Sequence, residues 1–382
     1  MLTVGIGAAA QPVADTLLDL GPQHPTSHGV VLLDLEIDGG VIARADPRLG
    51  FVHRGAEKLF EVRDVRQAMA LANRHDWHSA FGSEMGLAMV AEEMLGIEVP
   101  QRANWTRVLL AELNRVHAHL AFLGTFPVTP PDPGEPRVRM FDAAQQVIAA
   151  MEQVTGHRMH HTFNRIGGVA HPVPDGWVAT ARAAVAAVRA GLPTLRGEVL
   201  ESTAAGRFSG VGVLRSAEVH GYGVTGPSAR ASGVDVDLRR DAPYAAYGEV
   251  FAPGGVGRVV TRSAGDVPAR LAVRLDEVEV SCAIVEAAAD RLEELGSGGV
   301  NVPLPKVVRL PEGDHHVATE NPLGANGWYL VSRGAKTPWR LRVRTASFNN
   351  ASVLPALLPG VAVADLAAVI ASLGLVVGDI DK

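Results

Sequence analysis

A single cysteine, Cys282, stands among 382 residues. One thiol cannot close an intrachain disulfide, form a CxxC redox pair or hold an iron–sulfur cluster, because each needs at least two thiolates. Long apolar runs are missing as well. The most hydrophobic window, Gly360 to Gly378, is broken by Asp365, Ser372 and Gly374, so it reads as a buried helix and not as a membrane span. Residues 1–20 lack the basic start and apolar stretch of a secretory signal. A soluble chain is expected, one that meets a membrane only through partners or its surface. Neither sign of charge dominates: 35 Lys and Arg face 41 Asp and Glu, interspersed, which leaves no footprint for nucleic acid. No Gly-x-Gly-x-x-Gly follows a strand, and neither a Walker loop nor a Gly-x-Ser-x-Gly nucleophile turn occurs.

Apolar residues make up 47% of the chain, enough for a substantial core. Val31, Leu33, Leu35 and Ile37 alternate with more polar neighbours, and Asp38-Gly39-Gly40 turns the chain into Val41 to Ala45, which predicts a hairpin. Helical spacing dominates from Ala56 to about Leu123, where Trp105, Leu109, Glu112, Val116, His119 and Leu123 share one face. The five prolines between Pro127 and Pro136 demand a loop. Helices are expected again over Val138–Thr155 and Asp175–Glu201, then irregular structure and short strands over Ser209–Pro268, then a long helix over Glu277–Leu295 ended by Gly296. Trp339, Leu341 and Val343 alternate with Arg340, Arg342 and Arg344, a half-buried strand with a basic outer face. The fold class is α+β: a mainly helical core with small antiparallel sheets near the two termini. One integrated unit is expected, divided into an N-terminal extension (1–19), a loop and hairpin (20–55), a helical core (56–205), an irregular region (206–275), a long helix (276–299) and a C-terminal hairpin with a buried helix (300–382).

The segment Gly21-Pro22-Gln23-His24-Pro25-Thr26-Ser27-His28-Gly29 packs two prolines, two glycines and two histidines into nine residues before a strand. Such a segment holds one rigid, non-helical loop. It offers either imidazoles placed for proton-coupled chemistry or a tight turn whose histidines bond to backbone. His24-x-x-x-His28 contains Pro25 and cannot form the helical zinc-binding pair, and His157, His160 and His161 lack carboxylates or thiolates at ligand spacing. No metal is expected.

With Asp46 to Lys58 (Asp-Pro-Arg-Leu-Gly-Phe-Val-His-Arg-Gly-Ala-Glu-Lys), Arg107 to Arg115, Arg158-Met159-His160, Arg165 to Val169, Ala231 to Arg239, Tyr329 to Ser332 and the terminal Gly378-Asp379-Ile380-Asp381-Lys382, this loop resembles, in order, the 49-kDa subunit family of respiratory complex I. The resemblance runs from about Leu20 to the last residue. It implies a peripheral-arm subunit of a proton-translocating NADH:quinone oxidoreductase, on the cytoplasmic side of the cell membrane and inactive alone. The implied partners are a cluster-bearing small subunit, a C-type subunit of complex I, membrane-arm subunits and quinone. No cofactor is implied in this chain itself; the terminal iron–sulfur cluster sits in the partner. His28 matches the family's quinone-headgroup ligand, Arg54 an arginine beside the cluster, and His160 a histidine whose protonation follows cluster reduction; His24 is expected to be structural. The family is related to the large subunit of nickel–iron hydrogenases, whose metals need two CxxC pairs that one cysteine cannot supply.

Two positions depart from the family pattern. Trp77, in Asn73-Arg74-His75-Asp76-Trp77, replaces a tyrosine that also binds the headgroup, and an indole N–H donates but cannot accept or give up a proton as a phenol does. Gly124 stands where the family carries an aspartate behind the loop histidine, with Asp132 nearby. The span from Pro305 to Glu320 looks short, as though a surface helix were absent. A second reading follows: a structural subunit of a truncated complex I-like assembly without a productive quinone site.

Overall fold

A computed structural model describes residues 1–7, 15–18, 20, 24–126, 135–201 and 206–382. Near the N-terminus, strands β1 (Leu2–Ile6), β2 (Thr16–Leu18), β3 (Val31–Asp38) and β4 (Val41–Arg48) form a sheet in the order β2-β1-β3-β4. Gly39 and Gly40 carry φ of 56° and 84°, the left-handed pair that a two-residue hairpin turn requires. Val31, Leu33 and Leu35 are buried as the alternation predicts, but Leu32 is buried too. β1 runs antiparallel to β3 while β2 runs parallel to β1, so the sheet is mixed and not purely antiparallel. Part of the segment read as an extension thus supplies two of its strands.

The helical body comprises α1 (Ala56–Phe60), α2 (Val65–Ala72), α3 (Ala80–Leu95), α4 (Gln101–Gly124), α5 (Glu135–Thr155), α6 (Trp177–Arg196) and α7 (Val267–Glu294). Between α5 and α6 a two-stranded ribbon, β5 (Asn164–Arg165) antiparallel to β6 (Gly168–Val169), interrupts it. Asp64 starts α2 with a capping box: its carboxylate accepts from Gln67 N at 3.0 Å, and the Gln67 side chain accepts from Asp64 N at 3.2 Å. α7 begins ten residues before the expected Glu277. Asp266 caps it through Ala269 N at 2.9 Å, and Pro268 sits in the first turn, where a missing N–H costs nothing. The proline that looked like the end of an irregular stretch is a helix start.

Toward the C-terminus, β7 (Gly313–Asn321), β8 (Gly324–Ser332) and β9 (Arg340–Arg344) form an antiparallel meander packed on α3. β7 occupies much of the span that seemed short. Leu341 and Val343 are buried, but Trp339 lies just before the strand, 55% exposed, with the Arg333 guanidinium 3.2 Å above its ring. The expected buried helix is Leu366–Leu373. Among the described residues no helix is long and apolar enough to cross a membrane.

α4 packs along α7, and the seam between them is charged. Arg230 Nε donates to Glu277 at 2.8 Å and its Nη1 to Glu320 at 2.7 Å. Arg239 bonds Asp237 at 2.6 Å and Glu112 at 3.2 Å, and Tyr247 and Ser281 donate to the same Glu112 carboxylate at 2.5 and 2.6 Å. His119 Nε2 meets Glu277 at 2.9 Å. Burial opposes ionisation of Glu112, but Arg115 and Arg239 outweigh it and hold its carboxyl below the usual range. Glu320 goes the other way: burial raises its carboxyl despite Arg230.

Candidate functional site

Pro25–Ser27 form a single 3₁₀ turn capped by His24, whose Nδ1 accepts from Thr26 N at 3.2 Å. Accepting there puts the proton of the neutral ring on Nε2, an assignment drawn from the partner. Burial, then the neighbouring His28 and Arg274, lower the His24 pKa to about 3, so this imidazole stays neutral. His24 is a structural cap. His28 ends the turn, is exposed, and stands edge-on to Trp77 with ring centroids 6.4 Å apart at 90°. Gly21 to Gln23 lie outside the described residues.

Trp77 sits in the Asn73–Ser79 turn between α2 and α3, fixed by Asp76, whose carboxylate accepts from Ser79 N at 3.1 Å. Its ring packs against Phe122, Leu323, Ala346 and Val376. A Cβ on Gly378 would lie 2.0 Å from Trp77 Cζ3, so only glycine fits beneath the indole.

Two further residues singled out from sequence hang from this same turn. Arg54 Nη2 donates to Arg74 O at 2.8 Å, and His160 Nδ1 donates to Asn73 O at 2.9 Å, consecutive carbonyls. Burial and then Arg74 depress the His160 pKa, against the opposing pull of the Asn73 carbonyl. Glu84 braces the arrangement from inside: its carboxylate accepts from Asn73 Nδ2 at 2.5 Å, Thr162 N at 2.5 Å and Phe163 N at 3.0 Å. It therefore fastens the turn to the segment carrying His160. The residues expected to act together at the headgroup, His28 and Trp77, adjoin each other, and those expected at the cluster, Arg54 and His160, share one backbone turn with Trp77.

The C-terminal segment locks these pieces, which residue-by-residue reading did not anticipate. Asp381 accepts from Gly50 N at 2.7 Å and Val52 N at 3.0 Å, fixing the loop that carries Arg54. Asp379 accepts from Ser347 N at 2.7 Å, and Thr26 Oγ1 donates to Leu375 O at 2.9 Å, tying the His-Pro turn to the same segment. Gly29, at φ 153°, lets that turn pass Val377, whose Cγ1 would stand 2.7 Å from any Cβ there. Asp76 and Asp379 are both buried; burial, then the Asp379 charge, pushes the Asp76 carboxyl well up, and burial raises Asp379 likewise. The terminal Gly-Asp-Ile-Asp-Lys motif was the available signal for this role.

At the departed positions, Gly124 is the last residue of α4, and a Cβ on it would touch the Phe141 ring at 3.3 Å. Asp132 and the Thr129-Pro130 end of that motif lie outside the described residues. Among the described residues no carboxylate hydrogen-bonds His24 or His28, and no group of three His, Cys, Asp or Glu is placed to hold a metal. Cys282 is buried, and burial raises its thiol to about 12, an unreactive core residue.

The family model described as the 49-kDa subunit of respiratory-chain NADH dehydrogenase matches residues 136–308 and 302–382. The NADH-quinone oxidoreductase D2 subunit of Streptomyces griseus is 52% identical over all of this chain and 95% of its own length. The corresponding D1 subunit of Streptomyces coelicolor is also 52% identical, over all of this chain and 98% of its own. The D subunit of Bacillus cytotoxicus is 35% identical over 96% of this chain and 98% of its own length. Likeness at this level over the full chain means that the chain belongs to the 49-kDa subunit family of respiratory-chain NADH dehydrogenases.

Proposed function

We propose that this chain is the peripheral-arm subunit of a proton-translocating NADH:quinone oxidoreductase that forms the quinone-headgroup site beside a partner's terminal iron–sulfur cluster. The observation that carries the reading is the Asn73–Ser79 turn: it presents Trp77 to His28 on one side and anchors Arg54 and His160 through its carbonyls on the other. Headgroup chemistry and cluster electrostatics thus meet on one rigid element. The partners are the cluster-bearing small subunit, a C-type subunit and the membrane arm, which hold the chain peripherally at the cytoplasmic face of the membrane; its helical body is of the hydrogenase large-subunit kind. The partner's cluster supplies the electrons.

Quinone reduction takes up two electrons and two protons. His28, exposed at the end of a rigid turn, donates a hydrogen bond and a proton to a quinone oxygen. Trp77 walls the site and can only donate through its indole N–H. Arg54 is a fixed cation that favours the reduced, more negative cluster and raises its potential. His160 gains proton affinity when the cluster gains an electron, by the same electrostatics.

A specific observation favours the second reading, a structural subunit without productive quinone chemistry: Gly124 stands where an orienting aspartate is expected, and among the described residues no carboxylate hydrogen-bonds His28. The two readings separate in the assembled complex. With Trp77 intact, NADH-driven quinone reduction is expected, and Trp77→Tyr should change kcat by less than about tenfold, on the order of one hydrogen bond's net worth. Absence of turnover with Trp77, and its appearance in Trp77→Tyr, would establish the structural reading instead.

A further inference from the structure

A cavity of about 240 Å³ is lined by Trp77, His78, Asn114, His117, Arg158 and His161 among others. Three of these are imidazoles from three elements: the Asn73–Ser79 turn, α4 and the segment after α5. The His78 and His117 rings stack with centroids 5.8 Å apart and an interplanar angle of 18°. His78 Nδ1 and Trp77 Nε1 are buried polar atoms with no protein partner. An unmade buried hydrogen bond costs about 1–3 kcal/mol, and a cavity of this size has room for several waters at about 30 Å³ each. No carboxylate or thiolate lines the cavity, which leaves a metal without anionic ligands.

The protonation states fit a relay and not a charge store. Burial lowers the pKa of His117 and His161 to about 4, with Arg158 adding to the effect on His117 and the His157 carbonyl opposing it on His161. Burial, then His117, His28 and His24, hold His78 well below its ordinary value. All three rings are neutral, and a neutral imidazole accepts at one nitrogen while donating from the other. Asn114 fixes the frame, donating to His78 O at 3.0 Å and accepting from Phe81 N at 3.3 Å. Arg158, exposed and paired with Glu152 at 3.0 Å, marks the solvent mouth.

We propose that this cavity is a hydrated proton-relay chamber in which His117 and His78 return to His28 the proton that it gives to the quinone. The proposal rests on the quinone reading above. Each turnover moves two electrons from the partner's cluster to the quinone and forms two O–H bonds; His28 passes on both protons in turn and is reloaded through the chamber after each. A proton from bulk water enters at Arg158, binds one nitrogen of His117 as the other releases its own, and passes by water to His78 and then to His28. No net charge stays in the chamber. Trp77, a donor only, takes no part in the relay; it lines the chamber and stands edge-on to His28.

The test uses the assembled complex, with NADH reduction of the clusters followed by electron paramagnetic resonance as the check on assembly. His78→Ala should lower kcat for quinone reduction about tenfold or more, short of the roughly 10²-fold of a group that itself meets the reacting atoms, with KM unchanged. Imidazole added to solution should restore turnover by occupying the vacated space. His117→Gln, which keeps a hydrogen-bonding side chain but cannot shuttle a proton, should show the same loss and serves where His78→Ala fails to assemble. Wild-type kcat in an assembled variant, or a loss that imidazole does not restore, overturns the relay. If His28→Ala abolishes turnover while these variants do not, only the relay fails; if the unaltered complex does not reduce quinone, both fail.

Discussion

Acidifying the full chain from pH 6.5 toward pH 4 should remove about 3 kcal/mol of stability per pH unit, enough to bring unfolding within reach of a typical 5–15 kcal/mol margin. The fold shields six imidazoles from water. Burial, as the leading cause, lowers His24 and His75 to about 3, His117, His119 and His161 to about 4, and His78 well below its ordinary value. In the unfolded chain each takes a proton near 6.5, so the stability they lend is complete above that pH and is lost as the pH falls toward their folded values. Each contributes about 1.4 kcal/mol per unit in that window. Four carboxyls oppose them: burial raises Asp76, Glu84, Glu320 and Asp379, and their cost to the folded state is relieved as they protonate on acidification. Even if all four titrate in the same window, two histidines remain uncompensated. Thermal melting of the full chain between pH 7.5 and 5 measures this. A midpoint that stays level or rises on acidification contradicts it.

Arg230→Ala should cost about 3–5 kcal/mol, the usual penalty for unpairing a buried ion network. Arg230 is 0% exposed and bridges Glu277 on α7 to Glu320 on β7, with Asp237 3.8 Å away. Removing the guanidinium leaves Glu277 and Glu320 without their salt-bridge cation, apart from the His119 contact to Glu277 at 2.9 Å, while Asp237 keeps Arg239 at 2.6 Å. Arg182 on α6 makes comparable contacts to Asp290 at 2.5 Å and Glu293 at 3.0 Å, yet those carboxylates are 68% and 56% exposed. Arg182→Ala should therefore cost no more than about 1 kcal/mol. Urea unfolding of the two variants compares them directly. Equal losses would show that the buried network does not hold α4, α7 and the C-terminal sheet together.

Local pattern was readable wherever local chemistry decides. The Gly39-Gly40 turn, the α4 face of Trp105, Leu109 and Val116 and the α+β class all follow from spacing. What spacing could not convey is pairing across the chain. Spacing puts Glu112 on the face of Trp105 and Leu109, but it does not tell that Arg107, Glu112 and Arg115 are all buried because partners from Glu92, Arg239 and Glu320 reach them. Trp339 fits the apolar phase of β9 but lies outside, since the strand starts one residue later and Arg333 covers its ring. β7 was missed because Gly-Asp-His-His opens it with polar residues, and its pairing with β8 supplies what propensity lacks.

The candidate site shows the same division. The residue types at His28, Arg54, Trp77 and His160 were legible, and so was the substitution at Trp77. Their convergence on the Asn73–Ser79 turn was not, because it depends on Asp381, Asp379 and Gly378 returning from the far end of the chain. The bracing by Glu84 was equally hidden: a glutamate inside a helix gives no sign that its carboxylate will gather the amides of Thr162 and Phe163.

The central claim, that His28 faces the quinone headgroup, is tested most directly by NADH-driven quinone turnover in an assembled complex carrying His28→Ala, with NADH reduction of the clusters recorded on the same preparation. The expected result is normal cluster reduction with kcat for quinone lowered about 10²-fold or more, as for loss of a proton-donating group. Normal cluster reduction together with unchanged quinone turnover would contradict the account.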